Sequence, residues 1–339
     1  MKKNISLLAS VVSVLLLTGC GTTKFLDTYA PEESSLNVQK ITDESSNSVL
    51  GCRTFGSFVG AFAASSYAGS KEEKFYWSTP RLLSVSPDGR EIGYLSRNNK
   101  QDNIMIRSAF TSGAATQRTF RNVTSFSWGA DNQLYFADNS DVEHSQVCSA
   151  DAHAGSLIRQ LTNNNIDSNP VISSDGSTLF FTRVDKSGPS IWSLNIKSGA
   201  LTACARGYSP CLIKGDNNRF YCVRNNSNGM SEIWLVNYVV GQETLILSDK
   251  KHSYSNPSLS PDGQWIVCQG NSKSSITKKQ NLDIYAIRTD GTGLIQLTFH
   301  PSTDCSPVFS ADGSSIFFLS DRANKDNYYN VWKLTFAHY

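Results

Sequence analysis

One residue type recurs along this chain in nearly the same frame, and this repeat limits the possible folds more than any other feature of the sequence. The recurring residues are Asp88, Asp131, Asp175, Asp216, Asp262 and Asp312. The intervals between them are 43, 44, 41, 46 and 50 residues. Each aspartate is followed by glycine or asparagine, the residues that best tolerate the positive φ of a tight turn. The repeat therefore predicts six turns in six similar structural units.

The fifth copy shows the complete unit. Residues 257–260 and 265–269 have the pattern of two strands, and Pro261-Asp262-Gly263 between them is typical of a hairpin turn. Residues 283–287 and 294–298 continue as a third and a fourth strand. Repeats of this length without helical periodicity indicate a β-propeller of four-stranded antiparallel blades. The predicted fold class is all-β with six blades.

The two ends of the chain are predicted to close the ring together. The sixth copy stops at residue 336, after its third strand, and residues 36–42 match the pattern of the missing fourth strand. The next segment, residues 43–80, is about 32 residues longer than the corresponding connections elsewhere. We interpret it as an insertion packed on one face of the propeller, and the alternative is a degenerate seventh blade.

The turn sequences carry a family resemblance. Ser-Pro-Asp-Gly stands at residues 86–89 and 260–263, after a short strand and before a later Leu-Thr pair. This pattern resembles the TolB-type β-propeller across residues 80–336. The resemblance implies partners such as a peptidoglycan-associated lipoprotein or outer-membrane assembly components. TolB proteins also carry a separate α/β domain before the propeller and are not lipid-anchored, so the sequence does not indicate a TolB orthologue.

The N-terminus has the features of a bacterial lipoprotein. Lys2 and Lys3 precede an apolar run at residues 5–17, which is typical of a secretory signal peptide. The run ends in Leu17-Thr18-Gly19-Cys20, which resembles the lipobox. The sequence therefore predicts a signal peptide at 1–19, lipidation of Cys20 and a tether at 20–35. The propeller is predicted at 36–339, with its six repeats at 81–336.

Export and anchoring determine the expected location and partners. Acyl chains on Cys20 would hold the chain on a membrane. Gly21 follows the cysteine where aspartate would favour retention in the inner membrane. We therefore expect the periplasmic side of the outer membrane. A formal net charge of +2 gives no reason to expect nucleic acid as a partner.

Seven cysteines remain after Cys20, and none of them forms a Cys-x-x-Cys pair. Cys211 and Cys222 flank one predicted hairpin turn and are candidates for a disulfide. A shift of register by one residue would place Tyr221 opposite Cys211 instead. Small buried thiols packed on strands are the other interpretation.

The connections from each fourth strand to the next first strand open on one face, around the central channel. Those connections carry the candidate ligand residues Asp167, His252, Tyr254, His300 and Asp304. Such side chains suit a divalent metal or an acidic sugar, and some propeller lyases acting on pectic oligosaccharides resemble this fold. Polar loop residues are usually only solvated, so we expect neither a metal nor another cofactor.

Other enzyme classes lack their motifs. The sequence has no Gly-x-Ser-x-Gly elbow and no phosphate-binding glycine loop. It therefore favours a non-catalytic scaffold that binds a protein or an envelope polymer, without catalytic residues. The alternative is a polysaccharide-active enzyme with a metal on the channel face. The sequence leaves the oligomeric state open.

Overall fold

The strands of this chain form six separate sheets, each of four antiparallel strands, as shown by a computed structural model. The structure describes residues 30–43, 80–98, 101–111, 113–141, 144–153, 157–163, 165–273, 280–323 and 329–336. Within these ranges the helical structure is one 3-10 turn, Pro31–Glu33, and no helix there is long and apolar enough to cross a membrane. The signal peptide, Cys20, most of the tether and residues 44–79 of the insertion lie outside these ranges, so those predictions stay predictions.

Each sheet is one blade, and in the first five blades the strands follow one another in chain order. The first blade contains Leu83–Val85 (β2), Glu91–Asn98 (β3), Gln101–Ser108 (β4) and Thr116–Gln117 (β5). The second contains Val123–Trp128 (β6), Gln133–Asp138 (β7), Gln146–Asp151 (β8) and Arg159–Gln160 (β9). The third contains Ile166–Ile172 (β10), Thr178–Asp185 (β11), Gly188–Asn195 (β12) and Leu201–Arg206 (β13).

The second half of the chain repeats this order. The fourth blade contains Tyr208–Ile213 (β14), Asp216–Asn225 (β15), Ser231–Asn237 (β16) and Gln242–Leu247 (β17). The fifth contains Tyr254–Leu259 (β18), Trp265–Lys273 (β19), Gln280–Arg288 (β20) and Ile295–Gln296 (β21). The sixth contains Asp304–Phe309 (β22), Ser315–Ser320 (β23), Asn330–Thr335 (β24) and the N-terminal strand Gln39–Lys40 (β1).

The six blades form a closed ring around an axis. Each first strand contacts the first strands of both neighbouring blades, and β2 of the first blade contacts β22 of the last. The first strands therefore surround a central channel, and the fourth strands lie on the outside. The prediction of six blades is confirmed.

The N-terminal strand closes the sixth blade, as predicted. Gln39 pairs with Lys333, and the N–H of Thr335 donates to the carbonyl of Leu36 at 2.6 Å. Regular pairing is limited to β1, which is shorter than the predicted segment 36–42. The buried Leu36 packs in the core between the last two blades. Closure thus satisfies one edge of β24 that would otherwise be unpaired.

The turn motif explains the repeated aspartate. In four blades the serine two positions before the aspartate donates its Oγ–H to the aspartate Oδ1 at 2.5 to 2.6 Å. The same carboxylate oxygen accepts the backbone N–H two residues later at 3.0 Å. The intervening glycines, Gly89, Gly176, Gly263 and Gly313, have φ between +70° and +75°. These turns are held by their own side chains.

The fourth blade departs from the predicted turn. Asn132 of the second blade has the expected positive φ of 63°, but the left-handed residue of the fourth blade is Gly215. Asn217 follows the repeat aspartate Asp216 and was therefore predicted to have a positive φ. This prediction was wrong. Asp216 is the first residue of β15 here, so the turn lies one residue earlier than in the other repeats.

The threonine that follows the fourth strand in several repeats also has a structural role. Thr42, Thr119, Thr162 and Thr298 each lie two residues after the end of a fourth strand. Each accepts, at 2.9 Å on its Oγ1, a backbone N–H from the third strand of its own blade. Thr42 does this for Val331 although the two lie 289 residues apart in sequence. The threonine therefore extends the ladder where backbone pairing of the short fourth strand ends.

The cysteine pairing does not form. Cys211 lies opposite Tyr221 in the register of β14 and β15, and both Cys211 and Cys222 are free thiols. Cys222 follows Tyr221, so its side chain lies on the other face of the sheet and packs in a different core cluster from Cys211. The alternative register, with buried thiols, is the one that the structure adopts.

Candidate functional site

The antiparallel order of the blades gives the ring two distinct faces. One face carries the connections from fourth to first strands and from second to third strands, and we call it the connection face. The opposite face carries the first-to-second and third-to-fourth turns, and we call it the turn face. All five candidate ligand residues lie on the connection face, at or before the start of a first strand.

Four blades place a buried polar residue at the same position of the repeat, eight residues before the repeat aspartate. These residues are Asp167, Tyr208, Tyr254 and Asp304, each at most 1% exposed. Sequence reasoning missed Tyr208, although the common offset of eight residues would have found it. Its hydroxyl is 2.9 Å from Asn225 Oδ1 and 3.0 Å from Ser231 Oγ. The four residues thus occupy one equivalent, buried position of the repeat.

Asp167 is held in a buried ion pair. Arg183 donates from Nε and Nη2 to the two carboxylate oxygens at 2.7 and 2.9 Å. The guanidinium also lies 4.9 Å from the ring centroid of Trp192. Both oxygens of Asp167 are therefore occupied by a partner from its own blade.

Asp304 belongs to a cluster of three buried charges. Arg322 donates both to Asp304 and, at 2.8 Å, to Glu33. Glu33 also accepts the backbone N–H groups of Phe299 and His300. All three charged side chains are fully buried, so two carboxylates share one guanidinium. Burial, opposed by Arg322, raises the pKa of Asp304 to about 6.

The two histidines have different surroundings. His300 is 2% exposed, and its Nδ1 accepts the N–H of Ser302 at 3.1 Å. His252 has a side chain that is 37% exposed, and its Nδ1 lies 3.1 Å from Asp249 Oδ2. Its ring centroid is 6.3 Å from that of Tyr254, so these two residues do lie together.

The five candidates thus fall into three groups: Asp167, His252 with Tyr254, and His300 with Asp304. Within the described ranges no group of three or more metal-ligating side chains is close enough to hold an ion.

The centre of the ring is occupied by a dipeptide that sequence reasoning did not select. Pro80 and Arg81 immediately precede the first blade. The Arg81 Nη2 donates to the carbonyls of Pro210 and Pro257, both at 3.3 Å, and these belong to the fourth and fifth blades. Its backbone N–H donates to Asn169 Oδ1 of the third blade at 3.0 Å. This arginine therefore reaches across the axis.

The backbone of the same dipeptide contacts the other blades. Phe126 of the second blade donates its N–H to the carbonyl of Arg81 at 3.1 Å. The carbonyl of Pro80 accepts from Asn256 at 3.3 Å and from Ser306 at 3.4 Å, in the fifth and sixth blades. Pro80 and Arg81 thus bind all five other blades. No periodic pattern marks them, because the contacts come from residues as many as 226 positions away.

The groups that surround the dipeptide come from a repeated distortion of the first strands. The residues Asn169, Ser209, Asn256 and Ser306 have φ between +49° and +53°, and each precedes a proline. Each lies at a shift of register between the first and second strands of its blade. A proline lacks an N–H, so it leaves no donor unpaired on this innermost edge. The bulges direct carbonyl and side-chain oxygens toward the axis.

A second concave region lies on the turn face. A cavity of about 600 Å³ between the first two blades is lined by residues including Asp88, Glu91, Asn132 and His153. His153 Nε2 lies 2.6 Å from Glu91 Oε2, and its Nδ1 lies 3.0 Å from Asn132 Nδ2. Because the amide nitrogen is a donor, Nδ1 accepts and Nε2–H faces the carboxylate. These polar groups bind one another across the two blades.

Comparison with known proteins supports the architecture. No protein-family model matches the chain. A solved structure described as a TolB from Agrobacterium tumefaciens is 18% identical, with a TM-score of 0.58 over 77% of this chain and 93% of that one. TolB from Acinetobacter baumannii is 15% identical, with a TM-score of 0.57 over 73% of this chain and 64% of that one.

An enzyme with a similar fold is also present among the solved structures. Oligogalacturonate lyase from Vibrio parahaemolyticus is 13% identical, with a TM-score of 0.53 over 76% of this chain and 89% of that one. At such identities the similarity establishes the fold and not the activity. The chain has a TolB-type six-bladed propeller fold, which proteins of different function share.

Proposed function

We propose that this chain is a lipid-anchored periplasmic propeller that acts as a non-catalytic scaffold for a protein or an envelope polymer. The lipobox-like Leu17-Thr18-Gly19-Cys20 supports the anchor, and the TolB-type fold supports a role in the cell envelope. The anchor would hold the connection face and its partner at the inner side of the outer membrane.

One observation carries the non-catalytic part of the proposal. The carboxylates predicted to line the connection face, Asp167 and Asp304, are buried in ion pairs with Arg183 and Arg322. A carboxylate in a buried ion pair is a weak candidate for general acid–base work or metal binding, since either role would break the pair. Chemistry at this face would also have to proceed near the cationic Arg81 on the axis.

The experiment is crosslinking and capture from native envelopes, compared between two matched variants. Phe120 lies in a fourth-to-first connection and is 73% exposed, whereas Val240 lies in a third-to-fourth turn and is 70% exposed. We expect Phe120→Asp to lose a partner that Val240→Asp retains, because only the first change places a charge on the connection face. Loss in Val240→Asp alone would move the binding surface to the turn face. Absence of any reproducible partner or polymer from the wild-type sample would contradict the scaffold.

The lipid anchor is tested separately. Cys20→Ala should release the chain into the soluble fraction, while Cys52→Ala should leave it in the membrane fraction. Equal fractionation of both variants would contradict the anchor.

The second candidate function is a polysaccharide-active enzyme, and the fold it shares with oligogalacturonate lyase favours it. His252 is a partly exposed histidine of the connection face. Bound divalent metal and cleavage of uronides by the wild-type chain, both lost in His252→Ala, would replace the scaffold proposal with this one.

A further inference from the structure

Arg81 carries a positive charge that its known contacts do not balance. Its Nη2 donates to two backbone carbonyls, which are dipoles without formal charge. A guanidinium has five N–H donors, and Nε and Nη1 donate to no acceptor within the described ranges. No carboxylate there lies within 4.0 Å of it. Arg81 as a whole residue is partly buried.

Other arginines of the same fold are treated differently. Arg97, Arg183, Arg224 and Arg322 each pair with a carboxylate at distances of 2.6 to 2.8 Å. Placing a guanidinium in a desolvated site without a counter-charge is unfavourable, and natural structures usually supply one. The axis therefore differs from these four sites, whereas the buried Arg107 resembles it in donating to a backbone carbonyl, that of Thr111.

The titratable group that interacts electrostatically with Arg81, the thiol of Cys211, does not supply the missing charge. Burial raises the pKa of this thiol above its ordinary value. Cys211 therefore stays a neutral thiol at physiological pH. Burial also lowers the pKa of Arg81, although an arginine remains protonated throughout the physiological range.

We propose that the axis of the ring is a binding site for a small carboxylate or another oxyanion, held by the N–H groups of Arg81. The ligand must be small because Pro80 and Arg81 are themselves in contact with five blades. Its charge balances that of the guanidinium. Its oxygen atoms accept from Nε and Nη1, the nitrogens that do not donate to the carbonyls of Pro210 and Pro257. The site is independent of the scaffold role.

The test is thermal unfolding of the full chain in acetate, sulfate and chloride at equal ionic strength. A specific ligand raises the melting temperature in a saturable way, by about 5 °C at a hundred times its dissociation constant. We expect this rise for the wild type with acetate or sulfate. The two anions separate a carboxylate site from a general oxyanion site.

Three variants assign the effect to the axis. Arg81→Met should abolish the rise, and Arg81→Lys should weaken the apparent affinity at least about tenfold, because an ammonium lacks the planar fork. Arg90→Met is the matched control, since Arg90 has an 82% exposed side chain on the turn face. It should respond as the wild type does. An equal rise in Arg81→Met, or no saturable rise in the wild type, would overturn the proposal.

A second measurement uses only the wild-type chain, so it tests the site even if the Arg81 variants do not fold. Acetate is titrated into wild-type chain labelled with 15N-arginine, and the Nε–H resonances are followed. One saturating resonance supports the site, and resonances that all remain unshifted contradict it. Neither result depends on the capture of a partner, so this proposal and the scaffold can fail separately.

Discussion

At the scale of a single residue, the glycine after a repeat aspartate is required because its φ is positive. Gly176 has a φ of +70°, and a Cβ added there would meet nothing within 4 Å. The need for glycine is therefore a property of the backbone and not of packing. Gly113 is the matched control, because it has the same open space around it but no positive φ.

Gly176→Ala is expected to lower the free energy of unfolding by about 1 kcal/mol, the cost of a left-handed L-residue. Gly113→Ala should be neutral or slightly stabilising, because alanine restricts the unfolded chain. Urea unfolding of the two variants and the wild type measures the difference. Equal effects would mean that the turn does not depend on its positive φ.

Asp167 and Asp304 occupy the same position of the repeat, but the buried charges around them have different sums. Asp167 faces one arginine, whereas Asp304 shares Arg322 with Glu33. Removing the charge of Asp167 leaves Arg183 alone in the core. Removing the charge of Asp304 leaves a balanced pair of Glu33 and Arg322.

Asp167→Asn should therefore destabilise the chain by about 3 kcal/mol at neutral pH, the cost of breaking a buried pair. Asp304→Asn should cost only about 1 kcal/mol, the range of one lost hydrogen bond. Urea unfolding at pH 7.5 compares the two. A larger loss for Asp304→Asn would contradict the charge balance assigned to the cluster.

The same cluster predicts a pH dependence. The folded pKa of Asp304, about 6, exceeds the ordinary value of 3.8. The folded chain then binds more protons than the unfolded chain between these values, so the stabilising contribution is full below pH 3.8 and is lost as pH rises through about 6. The turn carboxylates Asp88 and Asp312 act in the opposite sense, because hydrogen bonds lower their pKa and their contribution is lost only in acid.

The melting temperature of the wild type, relative to that of Asp304→Asn, is expected to fall between pH 5 and pH 7. Taking the difference between the two chains removes the effect of other groups, including the histidines. Calorimetry at several pH values measures it. A difference that is constant with pH, or that increases toward pH 7, would contradict the raised pKa.

At the scale of one structural element, the short fourth strands depend on a side chain. Thr42 Oγ1 accepts the N–H of Val331 at 2.9 Å and donates to Asn330 Oδ1 at 2.8 Å. A strand of two paired residues is too short to hold the last blade by backbone bonds alone. The buried threonine supplies the bond that the strand lacks.

Thr42→Val should lower the free energy of unfolding by about 1 to 2 kcal/mol, since it leaves a buried N–H without an acceptor. Thr116 lies on the exposed fourth strand of the first blade and is the matched control. Chemical unfolding of Thr116→Val should match that of the wild type. Similar losses in both variants would assign the effect to strand propensity and not to the hydrogen bond.

At the scale of the whole molecule, the ring is held at two places. The N-terminal segment closes its outer side through β1, Leu36 and Glu33. Pro80 and Arg81 hold its centre by binding the other five blades. A ring closed in this way has fewer exposed strand edges than an open stack of blades.

Deletion of residues 30–42 should therefore open the ring and lower the melting temperature by about 10 °C or more. Hydrogen exchange should show the first loss of protection in Asn330–Thr335, which pairs with β1. The exposed Gln39→Ala is the control and should exchange as the wild type does. Unchanged unfolding after the deletion would refute closure by this strand.

Much of the fold follows from the sequence because its causes are local. A Ser-x-Asp-Gly turn contains its own hydrogen bonds, so each repeat predicts its hairpin without the rest of the chain. The fourth-strand pattern of residues 36–42 likewise predicted the closing strand. The sequence does not decide between two strand registers that differ by one residue. The turn before Asn217 and the pairing of Cys211 with Tyr221 are two examples.

The candidate site was predictable only in part. The position of Asp167, Tyr254 and Asp304 on one face follows from the order of strands in a blade. The ion pairs of Asp167 and Asp304 do not, because Arg183 meets Asp167 only through the register of β10 and β11, and Glu33 reaches Arg322 from the other end of the chain.

Short stretches of sequence are thus sufficient to predict the six units, their turns and the closing strand, since each of these is encoded within a few neighbouring residues. What lies in the central channel depends instead on the assembled ring. Arg81 meets carbonyls that are 129 and 176 residues away because a closed ring brings every first strand to one axis. No local pattern records a contact that exists only after all six blades have assembled.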